Sequence, residues 1–72
     1  GTVRARVFVM HLDSGRYLCR ACVWGEDDTG MEHDTHGDLA LASATHDRWV
    51  RHFAALAFVT YQHLQDRWFV FA

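Results

Sequence analysis

The sequence contains no lysine, and its positive charge comes from seven Arg residues. Motifs that need a Lys ammonium are therefore excluded, including phosphate-binding loops, Schiff-base sites and nuclease motifs that end in Lys. The chain has only two serines, Ser14 and Ser43, and neither lies in a motif that exposes a nucleophilic hydroxyl. A chain of 72 residues also has little volume for a substrate pocket. We therefore expect a protein that is not an enzyme.

Cysteines and long apolar runs are also scarce. Two Cys in 72 residues are too few for a disulfide-stabilised secreted scaffold, and the sequence does not begin with the basic and apolar segments of a secretory signal. The longest nearly apolar run, Phe53 to Tyr61, has nine residues, whereas a membrane-spanning helix needs about 20. We expect a cytoplasmic protein with reduced thiols.

The composition predicts one folded domain over residues 1–72. Half of the residues are apolar and the formal net charge is −2, which excludes the composition of a disordered chain. A domain of this size buries only about 60% of the surface of its unfolded chain. An unusually apolar core or a partner subunit is therefore expected to add stability.

Alternating apolar residues predict a β-hairpin over residues 2–24. Two strands with a period of two flank the turn formers Asp13, Ser14 and Gly15, as expected of half-buried strands. The residues on one face are Val3, Ala5, Val7 and Val9 in the first strand and Tyr17, Cys19, Ala21 and Val23 in the second.

An acidic segment over residues 25–38 follows the hairpin. It contains six acidic residues, three Gly and no Arg, so we expect a solvent-exposed loop. A loop of this length is usually functional or mobile. Residues 39–44 have two interpretations: a third strand beside the hairpin, which we favour, or the first turns of a helix capped by Asp38.

A long helix is predicted from about residue 46 to residue 65, with Thr45 as its N-cap. Apolar residues surround its middle, so a single sheet cannot cover it. A terminal strand over residues 67–71 is apolar on both faces, and it either inserts beside the hairpin or pairs with a partner's sheet. The fold class is therefore α+β, with a small antiparallel sheet packed on one long α-helix.

Cys19, Cys22, His33 and His36 have the spacing CxxC, ten residues, HxxH. This spacing resembles that of Cys2His2 zinc fingers, but in those modules about 12 residues separate the pairs and a helix carries the histidines. A regular strand over residues 16–24 would also direct Cys19 and Cys22 to opposite faces. We expect no cofactor, and a zinc site at these four residues is an alternative.

The hairpin supports a second alternative, a nucleic-acid-binding module. Arg and aromatic side chains on a sheet can neutralise phosphates and stack bases. The negative net charge weakens the electrostatic attraction that dominates such binding, so nucleic acid is a less favoured partner. The residues in question are Arg4, Arg6, Arg16 and Arg20 with Phe8 and Trp24.

The sequence favours a non-enzymatic protein-binding module. An acidic segment attracts a basic partner surface, and apolar residues on a helix and a terminal strand are typical of a homodimer interface. The predicted partner contacts are Trp24, Glu26, Asp27, Asp28, Glu32, Asp34 and Asp38. The predicted homodimer contacts are Ala55, Phe58, Val59, Trp68 and Val70.

In size and charge the chain resembles the small inhibitors made by phages and mobile elements, including anti-CRISPR proteins. That resemblance implies a partner whose basic surface binds nucleic acid.

Overall fold

The protein folds as an antiparallel sheet with one helix on one of its faces. The structure, a computed structural model, describes residues 3–25, 30–56, 59–63 and 66–71, and it describes side chains within residues 3–25 and 30–55. The strand order is β3-β2-β1-β5-β4, with every neighbouring pair antiparallel. The predicted α+β class is confirmed. The elements are β1 (Val3–Asp13), β2 (Arg16–Trp24), β3 (Gly30–Gly37), α1 (Leu39–Leu56), β4 (Val59–His63) and β5 (Asp66–Phe71).

The hairpin of β1 and β2 has the two-residue period that its sequence predicts. Ala5 pairs with Val23 and Val7 pairs with Ala21, so the small apolar residues share the face that contacts α1. The connecting turn contains Gly15, whose φ of 71° lies in the left-handed region that favours glycine.

The core between the sheet and α1 combines small and large side chains. Ala5 and Ala21 of the sheet and Ala42 of the helix are buried, and their small size lets the helix backbone approach the strands closely. Phe53 fills the space further along the helix, with half-buried Trp49 and Val50 beside it. The residues that pack on the sheet recur at helical spacing, so they share one face of α1. The rest of the helix surface is left for other contacts.

The helix begins at Leu39, and the favoured prediction of a strand over residues 39–44 is wrong. The Asp38 carboxylate accepts a hydrogen bond from the Leu41 N–H at 2.8 Å, and the Asp38 carbonyl accepts one from the Ala42 N–H at 3.0 Å. Asp38 is therefore the N-cap. The segment that follows is rich in Ala, the residue with the highest helix propensity, and Thr45 lies inside the helix and does not cap it.

The helix ends at Leu56, so the prediction of a helix reaching residue 65 is wrong. Val59 and Tyr61 belong to β4, as their branched and aromatic side chains favour. The apolar residues that seemed to surround one long helix are divided between α1 and β4. Within residues 39–55, α1 has a buried stripe and an exposed stripe, with Asp47, Arg48 and Arg51 exposed.

Most of the segment predicted as an acidic loop is β3. Its pairing with β2 runs without a register shift from Tyr17 opposite Gly37 to Trp24 opposite Gly30. A Cβ atom on Gly30 would lie 2.9 Å from Cδ1 of Trp24, so the indole packs over the glycine and would have to move if a side chain were added there. This cross-strand contact and the ion pair between Arg20 and Asp34 stabilise β3, whose sequence has no apolar alternation.

The predicted terminal strand is confirmed as β5, and it lies beside the hairpin. Val3 pairs with Phe71 and Arg6 pairs with Trp68, while β4 forms the sheet edge beyond β5. In the part of the chain that the structure describes, no helix is both long and apolar enough to span a membrane.

Candidate functional site: the β3 edge and the adjacent groove

The strand β3 (Gly30–Gly37) forms one edge of the sheet, and most of its residues are exposed. It pairs with β2 on one side, and among the described residues no strand pairs with its other side. Residues 30–34 are all exposed, and Met31 is 79% exposed. An unpaired strand edge presents backbone N–H and C=O groups that can pair with an added strand.

The side chains of β3 alternate between two faces of different chemistry. His33 lies opposite Ala21 and Thr35 lies opposite Cys19, and both partners are in the core beneath α1. Glu32, Asp34 and His36 therefore lie on the other face, which α1 does not cover. The two carboxylates of β3 therefore lie on the face that points away from α1.

On the uncovered face, Arg20 joins two carboxylates of β3. Its Nε and a terminal nitrogen donate to the two oxygens of Asp34 at 2.9 and 3.0 Å, and Glu32 lies 3.7 Å from its Nε. The hydrogen bonds from Arg20 lower the pKa of the Asp34 carboxyl, and the same contact raises the pKa of Arg20. Because Arg20 lies directly opposite Asp34, this pair favours the observed register of β2 and β3.

The predicted partner contacts thus have different roles. Asp34 is hydrogen-bonded to Arg20, Asp38 caps α1 and Trp24 packs over Gly30. Glu32 is exposed at the strand edge and lies 3.7 Å from the same guanidinium group. The remaining predicted contacts, Glu26, Asp27 and Asp28, lie outside the described residues.

A groove lies between β3 and the exposed flank of α1. It has a volume of about 790 Å³, within the size range of ligand-binding clefts. Its lining combines two guanidinium groups, two imidazoles, two hydroxyls and two apolar side chains. The lining residues are His33, Thr35, Leu41, Thr45, Arg48, Trp49, Arg51 and His52.

Trp49 is the aromatic centre of this groove. Its ring centroid lies 5.6 Å from that of His33 on β3 and 5.9 Å from that of His52 on the next turn of α1. It also stacks on buried Phe53 at 5.3 Å. The indole therefore joins the core to the groove and holds His33 against the helix side of β3.

The groove does not follow directly from the sequence, in which the residues of β3 have the composition of a loop. The signal that could have located it is the helical spacing of the residues that α1 directs toward β3, which recur three or four positions apart. These residues are Leu41, Thr45, Arg48, Trp49 and His52.

The four residues of the alternative zinc site are not brought together. Cys19 lies in the core beneath α1, and Cys22, three positions along the same strand, lies on the other face opposite Glu32. His33 contacts Trp49 on the helix side, whereas His36 lies opposite Leu18 on the uncovered side. No group of three or more His, Cys, Asp or Glu residues suited to a metal occurs within the described residues.

Both thiols are buried, at 1% exposure for Cys19 and 3% for Cys22. Burial raises the pKa of each, and the nearby carboxylates of Asp34 and Glu32 raise it further for Cys19 and Cys22 respectively. The protonated thiol is neither a metal ligand nor a nucleophile. The two cysteines therefore act as small apolar residues of the sheet.

The cationic residues of the hairpin are largely engaged with other side chains. Arg16 pairs with Asp13 at 3.3 Å, Arg20 pairs with Asp34, and the Arg6 guanidinium lies 4.8 Å from the centroid of the Phe8 ring. This face is therefore less available to phosphates than the sequence alone suggests, and nucleic-acid binding stays an alternative prediction.

Among the predicted homodimer contacts, Val59, Trp68 and Val70 belong to β4 and β5, which β2 and β1 separate from β3 in the sheet. Ala55 is exposed near the end of α1, Val59 pairs with Val70, and Trp68 pairs with Tyr61. Phe58 lies outside the described residues. Because α1 ends at Leu56, its apolar excess no longer supports dimerisation, which stays a prediction.

No family model, curated protein or solved structure matches this chain. The fold and the site define a small α+β domain with an open strand edge above a cationic groove, and its function is inferred from these features.

Proposed function

We propose that this chain is a non-enzymatic protein-binding module that adds an extended segment of a partner protein to β3. The observation that carries this proposal is the edge itself: the eight residues of β3 form a regular, exposed strand with no register shift. In strand addition the backbone hydrogen bonds supply affinity, and alternate side chains supply specificity.

Carboxylates on the uncovered side favour basic side chains in the partner segment. Glu32 is exposed beside the edge, and the sequence places Glu26, Asp27 and Asp28 just before β3. Surfaces rich in basic side chains also bind the phosphates of nucleic acids. A module that occupies such a surface would compete with nucleic acid for it. The expected inhibitory role would then consist of this competition.

Charge repulsion disfavours a second copy of the chain at this edge in the two registers centred on His33 and Asp34. Antiparallel pairing of β3 with itself places Asp34 opposite Asp34 in the register centred on Asp34. In the register centred on His33, Glu32 lies opposite Asp34. Like charges directly opposite one another destabilise strand pairs. The edge is therefore better suited to a partner of different sequence.

A nine-residue peptide of alternating Thr and Arg is a suitable probe, because it combines strand propensity with positive charge. We expect its addition to isotope-labelled protein to shift amide NMR signals of β3 more than those of α1. Glu32→Gln should weaken binding modestly, since the contact is exposed. Absence of β3 shifts at millimolar peptide would contradict the proposal.

Met31→Pro and His36→Pro form a matched pair that tests backbone pairing. Their backbone N–H groups point in opposite directions because they lie an odd number of positions apart. One substitution breaks the ladder with β2, whereas the other removes a donor only from the open edge. The variant that keeps its thermal stability should lose most of its peptide affinity, and unchanged affinity in that variant would reject strand addition.

A further inference from the structure

We infer that the groove between β3 and α1 binds an anionic side chain of the partner segment, so that the preferred segment alternates basic and acidic residues. This inference rests on the proposed strand addition and specifies the chemistry of the added strand.

The groove lies beside the open edge of the sheet, because β3 forms one of its walls. A strand added to β3 would lie about 4.8 Å from it, next to the strand that forms one wall of the groove. Side chains of that strand in register with His33 and Thr35 would share their face of the sheet. His33 and Thr35 line the groove, so every second side chain of the partner segment would lie at its mouth.

The charge of the groove differs from that of the whole chain. The formal net charge is −2, yet among the described side chains no acidic residue lines the groove. Arg48 and Arg51 have no carboxylate within ion-pair distance among the described side chains, unlike Arg16 and Arg20. Two guanidinium groups that no described carboxylate pairs with favour an anion.

The other groove residues suit the same ligand. Guanidinium groups bind a carboxylate or a phosphate through paired hydrogen bonds, and the hydroxyls of Thr35 and Thr45 can donate to oxygens between them. Trp49 supplies an apolar wall against which the methylene groups of a long acidic side chain can pack. An extended partner would then direct acidic side chains into the groove and basic ones toward Glu32.

Three nine-residue peptides test this inference: alternating Glu and Arg, alternating Gln and Arg, and a peptide with the first composition in separate Glu and Arg blocks. Measured by fluorescence anisotropy, the alternating Glu-Arg peptide should bind about two- to fivefold tighter than either of the others, the range expected for partly exposed ion pairs. In the double variant Arg48→Gln, Arg51→Gln this preference should disappear.

Arg16→Gln is the matched control, because Arg16 is an exposed arginine away from the groove, and it should leave the preference unchanged. Equal binding of the Glu-Arg and Gln-Arg peptides would overturn the inference and leave the proposed function intact. Failure of every peptide to bind would overturn both. Tight binding of a single-stranded oligonucleotide that depends on Arg48 and Arg51, without peptide binding, would assign the groove to nucleic acid instead.

Discussion

Replacement of Asp38 by Ala tests where the helix begins. The Asp38 carboxylate accepts a 2.8 Å hydrogen bond from the Leu41 N–H, one of the amide donors that a helix start leaves without an internal partner. Loss of such a cap costs about 1 kcal/mol. For a domain of this size each kcal/mol corresponds to about 4–8 °C in Tm, so we expect Asp38→Ala to lower Tm by about that amount.

Thermal unfolding followed by far-UV circular dichroism provides the assay. Asp38→Ser should recover most of the lost stability, because the serine hydroxyl also caps helices well. Thr45→Ala is the decisive comparison: inside the helix it should change Tm little, since Ala has the higher helix propensity. A Tm lowered by Thr45→Ala and unaffected by Asp38→Ala would refute a helix that begins at Leu39.

Two further predictions concern the charges and thiols of the sheet. Arg20 holds the pKa of Asp34 below its ordinary value, so this pair stabilises the fold above the unfolded pKa of about 3.9 and loses its effect as the pH falls through the lower folded pKa. The Tm difference between the wild type and Asp34→Asn should therefore shrink between pH 7 and pH values of about 2, and a constant difference would argue against the pair. Cys19 and Cys22 are buried, so a maleimide should label them only when urea unfolds the protein, and a strong zinc chelator should leave Tm unchanged. Rapid labelling of the folded chain, or unfolding by the chelator, would support exposed or metal-bound thiolates.

The sequence predicts the hairpin well because its alternation is strong and its turn contains glycine. It also places β5 correctly as a terminal strand. It fails between residues 25 and 65, where three segments are misassigned: β3 as a loop, residues 39–44 as a strand, and the end of α1 together with β4 as one longer helix. β3 has no apolar alternation and is stabilised by cross-strand contacts such as Arg20 with Asp34, which no local pattern encodes. At the end of α1, the apolar pattern of the helix runs directly into that of β4 near Leu56. The two elements therefore resemble one long helix.

The candidate site was predictable only in part. The acidic residues around β3 are visible in the sequence, but the engagement of Asp34 by Arg20 and of Asp38 by the helix cap depends on register and helix start. The cationic groove depends on the packing of α1 beside a strand that was not expected. Arg48, Trp49 and His52 recur at helical spacing, but they line a groove only because β3 lies beside them.

The place of β1 in the sheet has a consequence for how the chain reaches its native state. One neighbour of β1 is adjacent in sequence, but the other is β5, so that Val3 meets Phe71 only after a loop of almost the entire chain has closed. Such closure carries a large entropic cost and slows folding. The hairpin can assemble early from local contacts, whereas the second flank of β1 stays open until the last strand arrives. During that interval the partly folded chain has an unpaired strand edge and is most prone to aggregate with other copies.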